Sequence, residues 1–105
     1  MNRWMKLAHK LSQDSCHGRE KMAAVMVRGG AVVALASNHK RWFGHAELRL
    51  LSRVRNAAGS TVYVMRINKR ISKPCSICRE ELIKRGVKDV VYINEHGSVE
   101  SERLN

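Results

Sequence analysis

His45-Ala46-Glu47 and, beyond residues 48–73, Pro74-Cys75-Ser76-Ile77-Cys78 organise this chain. Each stretch stands where a loop gives way to a helical pattern. After the first, Leu50, Leu51, Val54, Ala57 and Ala58 recur at helical spacing, so residues 46–58 read as a helix that Gly59 stops. After the second, residues 75–85 read as a helix closed by Gly86. Pro74 suits a helix start, where its missing N–H costs nothing. Cys75 and Cys78 are i and i+3 on that helix and share a face. Both motifs therefore fall at helix N-termini, whose partial positive charge favours thiolates and other anions.

The neighbouring segments supply the rest of the fold. Trp4, Leu7, Ala8 and Leu11 give residues 4–11 helical spacing, and residues 12–21 form a polar loop. Residues 22–27 and 31–36 are apolar runs on either side of Arg28-Gly29-Gly30, the pattern of a hairpin. Neither run alternates with polar residues, so both strands are expected to be covered on both faces. Residues 38–44 form a loop, 61–67 a strand, 68–73 a basic loop and 87–93 a further strand. Glu95-His96-Gly97 makes a turn, with a short last strand near Val99. The link to that strand is too short for a crossover, so it must pair antiparallel. The order α-β-β-α-β-α-β, with one more strand, predicts an α/β fold. It has three layers, α/β/α, around a mixed sheet of four to five strands with helices on both faces.

At 105 residues the chain reads as one domain spanning 1–105, with an ordinary apolar fraction of 44%. No apolar run approaches the ~18 residues that a membrane span needs, which excludes a membrane role. The N-terminus carries Arg3, Lys6, His9 and Lys10 and lacks the apolar stretch of a signal peptide. Of three cysteines two belong to C-x-x-C, so a disulfide framework is not expected and a cytoplasmic, intracellular setting is. A net charge of +11 favours a polyanionic partner, a phosphorylated substrate, or both. The plainer reading of that charge is a basic, solubilising surface.

H-x-E followed by P-C-x-x-C resembles the signature of the zinc-dependent cytidine and deoxycytidylate deaminase-like superfamily. The resemblance covers most of the chain, and the element order is similar to the superfamily core. The antiparallel last strand looks like the cytidine deaminase branch. It looks less like the branch with a fourth helix, which includes tRNA adenosine deaminases and the vertebrate polynucleotide editors. The resemblance implies one Zn2+ per chain, held by His45, Cys75 and Cys78, with the fourth tetrahedral position left to water. It makes Glu47 the catalytic general acid and base, moving protons from water to the ring and to the leaving amine. It places Asn38 against the sugar or base and the backbone N–H of Ala46 against the base carbonyl.

The implied activity is that of a hydrolase acting on the C–N bond of a cyclic amidine, converting cytosine to uracil. The substrate is single-stranded DNA or RNA, the favoured reading, or a (deoxy)cytidine nucleoside or phosphorylated pyrimidine nucleotide. Lys40, Arg41, Trp42 and Phe43 precede the zinc histidine, an arrangement suited to base stacking and phosphate contact. The blander account packs Trp42 and Phe43 on the core as a lid. Arg70 and Lys73 stand at the expected pocket mouth, with phosphate recognition set against solvated loop charge. Arg49, Arg53, Arg55, Lys84, Arg85 and Lys88 are expected on helix exteriors, where they extend a nucleic-acid track or only solubilise. A homo-oligomer is the way a core of this size could gain surface for a polymer. The alternatives are a tRNA-type adenosine deaminase and a non-catalytic, zinc-stabilised nucleic-acid-binding module. In a structural knuckle Cys16, His17 or His39 would supply a fourth ligand.

Overall fold

The computed structural model describes residues 2–13, 21–37, 46–66 and 71–105. The elements run α1 (Arg3–Gln13), β1 (Met22–Arg28), β2 (Ala31–Ser37), α2 (Ala46–Ser52), β3 (Thr61–Arg66), α3 (Ser76–Lys84), β4 (Asp89–Ile93) and β5 (Val99–Arg103). The strands form one five-stranded sheet in the order β2-β1-β3-β4-β5. Pairing is antiparallel except between β3 and β4, which are parallel. The mixed sheet, the hairpin about Gly29 and Gly30, and the antiparallel last strand agree with the sequence reading. Gly29 and Gly30 both take positive φ, 60° and 77°, the conformation that a tight hairpin turn requires.

Side chains of the central strands alternate between two apolar layers. Ala24, Met26, Val62, Val64, Val90 and Tyr92 meet Ala46, Leu50 and Leu51 of α2 and Leu82 of α3. Val25, Val27, Met65, Val91 and Ile93 meet Met5 and Ala8 of α1 on the opposite face. The sheet is thus the middle of three layers, with α1 on one side and α2 and α3 on the other. Asn2 starts α1 by accepting the Met5 N–H on Oδ1 at 2.9 Å, an N-cap. The end of α3 is a Schellman motif. Val87 N–H donates to Leu82 C=O and Gly86 N–H to Ile83 C=O, both at 3.0 Å, with Gly86 at φ 81°.

Two expectations are corrected. The second helix ends at Ser52, not at Ala58. Arg85 reaches from the end of α3 and donates to the Leu51 and Val54 carbonyls, satisfying groups that another helical turn would have used. The chain beyond runs irregularly to Gly59, and Ala57 is still buried. Secondly, β2 is not covered on both faces. It is an edge strand, and α1 lies over β1 and β3. Val32, Val33 and Leu35 are consequently exposed. A bulge between Met26 and Val27 leaves Val33 without a partner in the register. Arg53 donates to Leu35 C=O at 2.7 Å and Arg49 to Ser37 C=O. Two charges expected on helix exteriors therefore cap carbonyls of an edge strand, a feature that discourages edge pairing.

Candidate active site

Strand directions bring the two sequence motifs to one end of the sheet. Strands β2 and β3 are each antiparallel to β1, so they run the same way, and β4 runs with them. In sequence α2 follows β2 and α3 follows β3, and both helices lie on one face. Their N-termini therefore stand over the carboxyl ends of the parallel strands, where open α/β sheets hold their ligands.

Glu47 is the second residue of α2 and is 1% exposed. Cys75 is the N-cap of α3, with extended backbone at φ −68° and ψ 168°. Its carbonyl accepts Arg79 N–H at 2.9 Å and opens the helix. Cys78 lies one turn on and is fully buried, whereas Cys75 is exposed. The Cys78 thiol interacts with both the Glu47 carboxyl and the Cys75 thiol. Cys78 thus links two acidic groups distant in sequence, the Glu47 carboxyl and the Cys75 thiol.

The electrostatics of that cluster are unfavourable without a cation. Burial pushes the Glu47 carboxyl above its ordinary value, and bonds from the backbone and from Cys78 only partly offset this. Burial, then the Glu47 charge, then Cys75 raise the Cys78 thiol well above the usual thiol range. Glu47 Oε1 is buried and has no hydrogen-bond partner among the described residues. An orphaned buried carboxylate oxygen costs ~1–3 kcal/mol, so a fold keeps one only where something else fills the need. A dication reverses each of these penalties, because it stabilises thiolates and lowers the pKa of water beside the carboxylate. The donors fit zinc, a borderline-soft ion that takes thiolate sulfur readily.

Among the described residues no three metal-ligating side chains cluster. His45, the third ligand implied by the sequence, lies outside the described residues, immediately before Ala46 in the chain. Asn38, Lys40, Arg41, Trp42, Phe43 and Arg70 also lie outside them, as do Cys16, His17 and His39. Ala46 opens α2 and is fully buried. Lys73 is exposed, with its ammonium 6.0 Å from the Tyr92 ring centroid. Ile71, before the cysteine turn, and Ile77, within it, are large exposed apolar side chains. One buried residue had no signal in the sequence pattern. Ser72 is fully buried and hydrogen-bonded to both β3 and β4.

A sequence model described as the cytidine and deoxycytidylate deaminase zinc-binding region matches residues 1–94. The chain belongs to this deaminase family. Among curated protein sequences no significant match is found. Of solved structures, the dCMP deaminase of cyanophage S-TIM5 is 25% identical with a TM-score of 0.72, covering 92% of this chain and 89% of its own. Cytidine deaminase from Burkholderia pseudomallei shares the fold at 20% identity and a TM-score of 0.71, covering 99% and 94%. A structure from work on A-to-I editing by tRNA:A34 deaminases shares it at 21% identity and 0.62, covering 81% and 69%. Family membership makes this a zinc-binding deaminase fold and leaves the substrate open among these relatives. Among the described residues, no helix of this deaminase is long and apolar enough to cross a membrane.

Proposed function

We propose that the chain is a zinc-dependent hydrolytic deaminase that converts cytosine to uracil in a (deoxy)cytidine nucleotide. The observation that carries this reading is the buried, half-satisfied Glu47 carboxyl packed against the Cys75–Cys78 turn. A structural zinc knuckle has no use for it. His45, Cys75 and Cys78 would hold one Zn2+, and zinc, when bound, lowers the pKa of water at its open position toward ~7.

The remaining chemistry is proton movement, and Glu47 is built for it. Its carboxylate takes the proton of the attacking water and delivers it to ring N3 as the C4–O bond forms. It then carries the hydroxyl proton to the amine, the C4–N bond breaks, and ammonia leaves with the C4 carbonyl formed. Both protons pass through one carboxyl group, so the balance needs no second acid. Burial raises the Glu47 carboxyl above its ordinary value, which favours the protonated form that a proton carrier must pass through. The N–H of Ala46 and Asn38 would orient the base and sugar, and Ile71 and Ile77 offer apolar rim against the ring. Arg70 and Lys73 are the proposed phosphate contacts, with Lys40, Arg41, Trp42 and Phe43 lining the mouth. The whole chain acts as one domain in an intracellular setting.

The nucleotide is preferred to a polymer for two reasons. The relative at 25% identity is a dCMP deaminase that spans almost the whole chain. Arg49, Arg53 and Arg85 donate to backbone carbonyls, which commits guanidinium N–H groups that would otherwise be free to contact phosphates. Single-stranded nucleic acid is the second reading, favoured by the net charge of +11.

The test uses zinc-loaded protein and Glu47→Gln, with uracil nucleotide and ammonia measured from dCMP and from a dC oligonucleotide. The reading requires stoichiometric product in the wild type and loss of at least ~10^3-fold in the variant, with zinc still bound. Equal turnover in the two proteins removes Glu47 from the mechanism. Product from the oligonucleotide alone, with activity falling steeply as salt rises, replaces the nucleotide reading with the polymer one.

A further inference from the structure

The parallel ladder between β3 and β4 is short. It pairs Thr61 with Asp89, Val62 with Val90 and Tyr63 with Val91, and then stops. Yet β3 continues to Arg66 and β4 to Ile93. The ladder ends before the strands do, and backbone groups at their carboxyl ends take other partners. Ser72 bridges the two strands there. Its N–H donates to Ile93 C=O at 3.0 Å. Its hydroxyl donates to Val64 C=O at 2.8 Å and accepts the Ile93 N–H at 2.8 Å. One residue thus replaces ladder bonds on both strands, fully buried.

We propose that Ser72 is a positioning residue that hangs the metal-ligand turn from the carboxyl ends of β3 and β4, and so sets the geometry of Cys75 and Cys78. The inference rests on the zinc reading of those cysteines. Only Lys73 and Pro74 separate Ser72 from Cys75. Pro74 is buried and its ring fixes φ, so this tether is stiff. Cys75 is extended and Ser76 begins the helix that carries Cys78. A displacement at Ser72 therefore passes directly into Cys75, the N-cap residue of α3. Serine suits the place because its hydroxyl both donates and accepts while occupying little volume. Alanine would leave Val64 C=O and Ile93 N–H unpaired inside the core, release the turn from β3, and leave only the Ser72 N–H bond to Ile93 C=O to hold it to β4.

Cobalt(II) is the probe, because thiolate-to-cobalt absorption reports the ligand geometry without turnover. The proteins are the wild type, Ser72→Ala, Ser72→Thr and Ser60→Ala. Ser60 is a matched control. It is equally buried, its hydroxyl donates to Ala57 C=O at 2.6 Å, and it lies at the opposite end of β3. Cobalt affinity by chelator competition is expected to fall roughly tenfold or more in Ser72→Ala, with an altered spectrum. Ser60→Ala should keep wild-type affinity, and Ser72→Thr, which retains the hydroxyl, should recover most of the loss. A Ser72→Ala protein with wild-type affinity and spectrum overturns the proposal, as does an equal loss in Ser60→Ala. Hydrogen exchange on the wild type decides the matter even if Ser72→Ala does not fold. Cobalt should slow exchange of the Ile93 amide more than that of Lys88, whose N–H is bonded to Ser60 C=O at the far end. Equal slowing counts against Ser72. Absence of thiolate–cobalt absorption in the wild type sinks the zinc reading instead, and the inference with it.

Discussion

Replacing Glu47 with leucine should stabilise the metal-free protein while abolishing its chemistry. The carboxyl is 1% exposed and its Oε1 has no partner among the described residues. An orphaned buried acceptor costs ~1–3 kcal/mol. Leucine removes that cost and adds apolar contact with the layer that holds Ala46, Leu50 and Leu51. It also forfeits the bonds from the backbone and Cys78, worth about 1 kcal/mol each or less. The balance favours leucine by ~1 kcal/mol, which at this chain length raises Tm by about 4–8 °C. The assay is thermal unfolding followed by circular dichroism in excess chelator, with urea titration as a check on the free energy. A Tm at or below the wild-type value refutes the reasoning, because it would mean that the carboxyl is already satisfied.

Three further outcomes follow from contacts elsewhere. Arg85→Ala removes donors to Leu51 and Val54 carbonyls, so the urea midpoint should fall by the equivalent of ~1–2 kcal/mol, while turnover per folded molecule is kept. A midpoint unchanged within error would show that water replaces those bonds. Gly86→Ala places a Cβ 3.2 Å from Ala58 at a φ of +81°. The left-handed backbone alone costs an L-residue ~1–2 kcal/mol, and a neutral result in the same titration would contradict it. Tyr92 donates to Glu100, and that bond, then one from Asn94, holds the Glu100 carboxyl below its ordinary 4.5. The contribution is present above the unfolded pKa and lost as pH falls through the lower folded value. The Tm gap between wild type and Tyr92→Phe should therefore narrow below pH 4.5, and a constant gap down to about pH 3 would refute the linkage.

What the sequence could convey was local. The Gly29-Gly30 hairpin, the helix stop at Gly86 and the short link into β5 all follow from turn chemistry and chain length, and the structure agrees with each. The cysteine spacing predicts two thiols on one helix; Cys75 and Cys78 do interact, but Cys75 is the extended N-cap before α3 and only Cys78 lies on the helix. What escaped was set by partners distant in sequence. Val54, Ala57 and Ala58 continue a helical rhythm, but Arg85, from 31 residues beyond Val54, takes the carbonyl that the rhythm would have used. The apolar run of β2 looked like a covered strand. Whether Val32 and Leu35 are covered depends on where α1 settles, and it settles over β1 and β3. Ser72 reads as an ordinary loop serine until the early end of the β3–β4 ladder gives its hydroxyl two strands to join. The residues expected at the pocket mouth, from Asn38 to Phe43 and at Arg70, lie outside the described residues.

The most direct test of the central claim is uracil formation by zinc-loaded protein offered dCMP, cytidine, a dC oligonucleotide and RNA in parallel, with Glu47→Gln beside it. The account predicts that dCMP is turned over with one ammonia per uracil, that chelator abolishes the reaction and added zinc restores it, and that Glu47→Gln binds zinc but makes no product. Zinc bound at one per chain with no product from any cytosine substrate would contradict it.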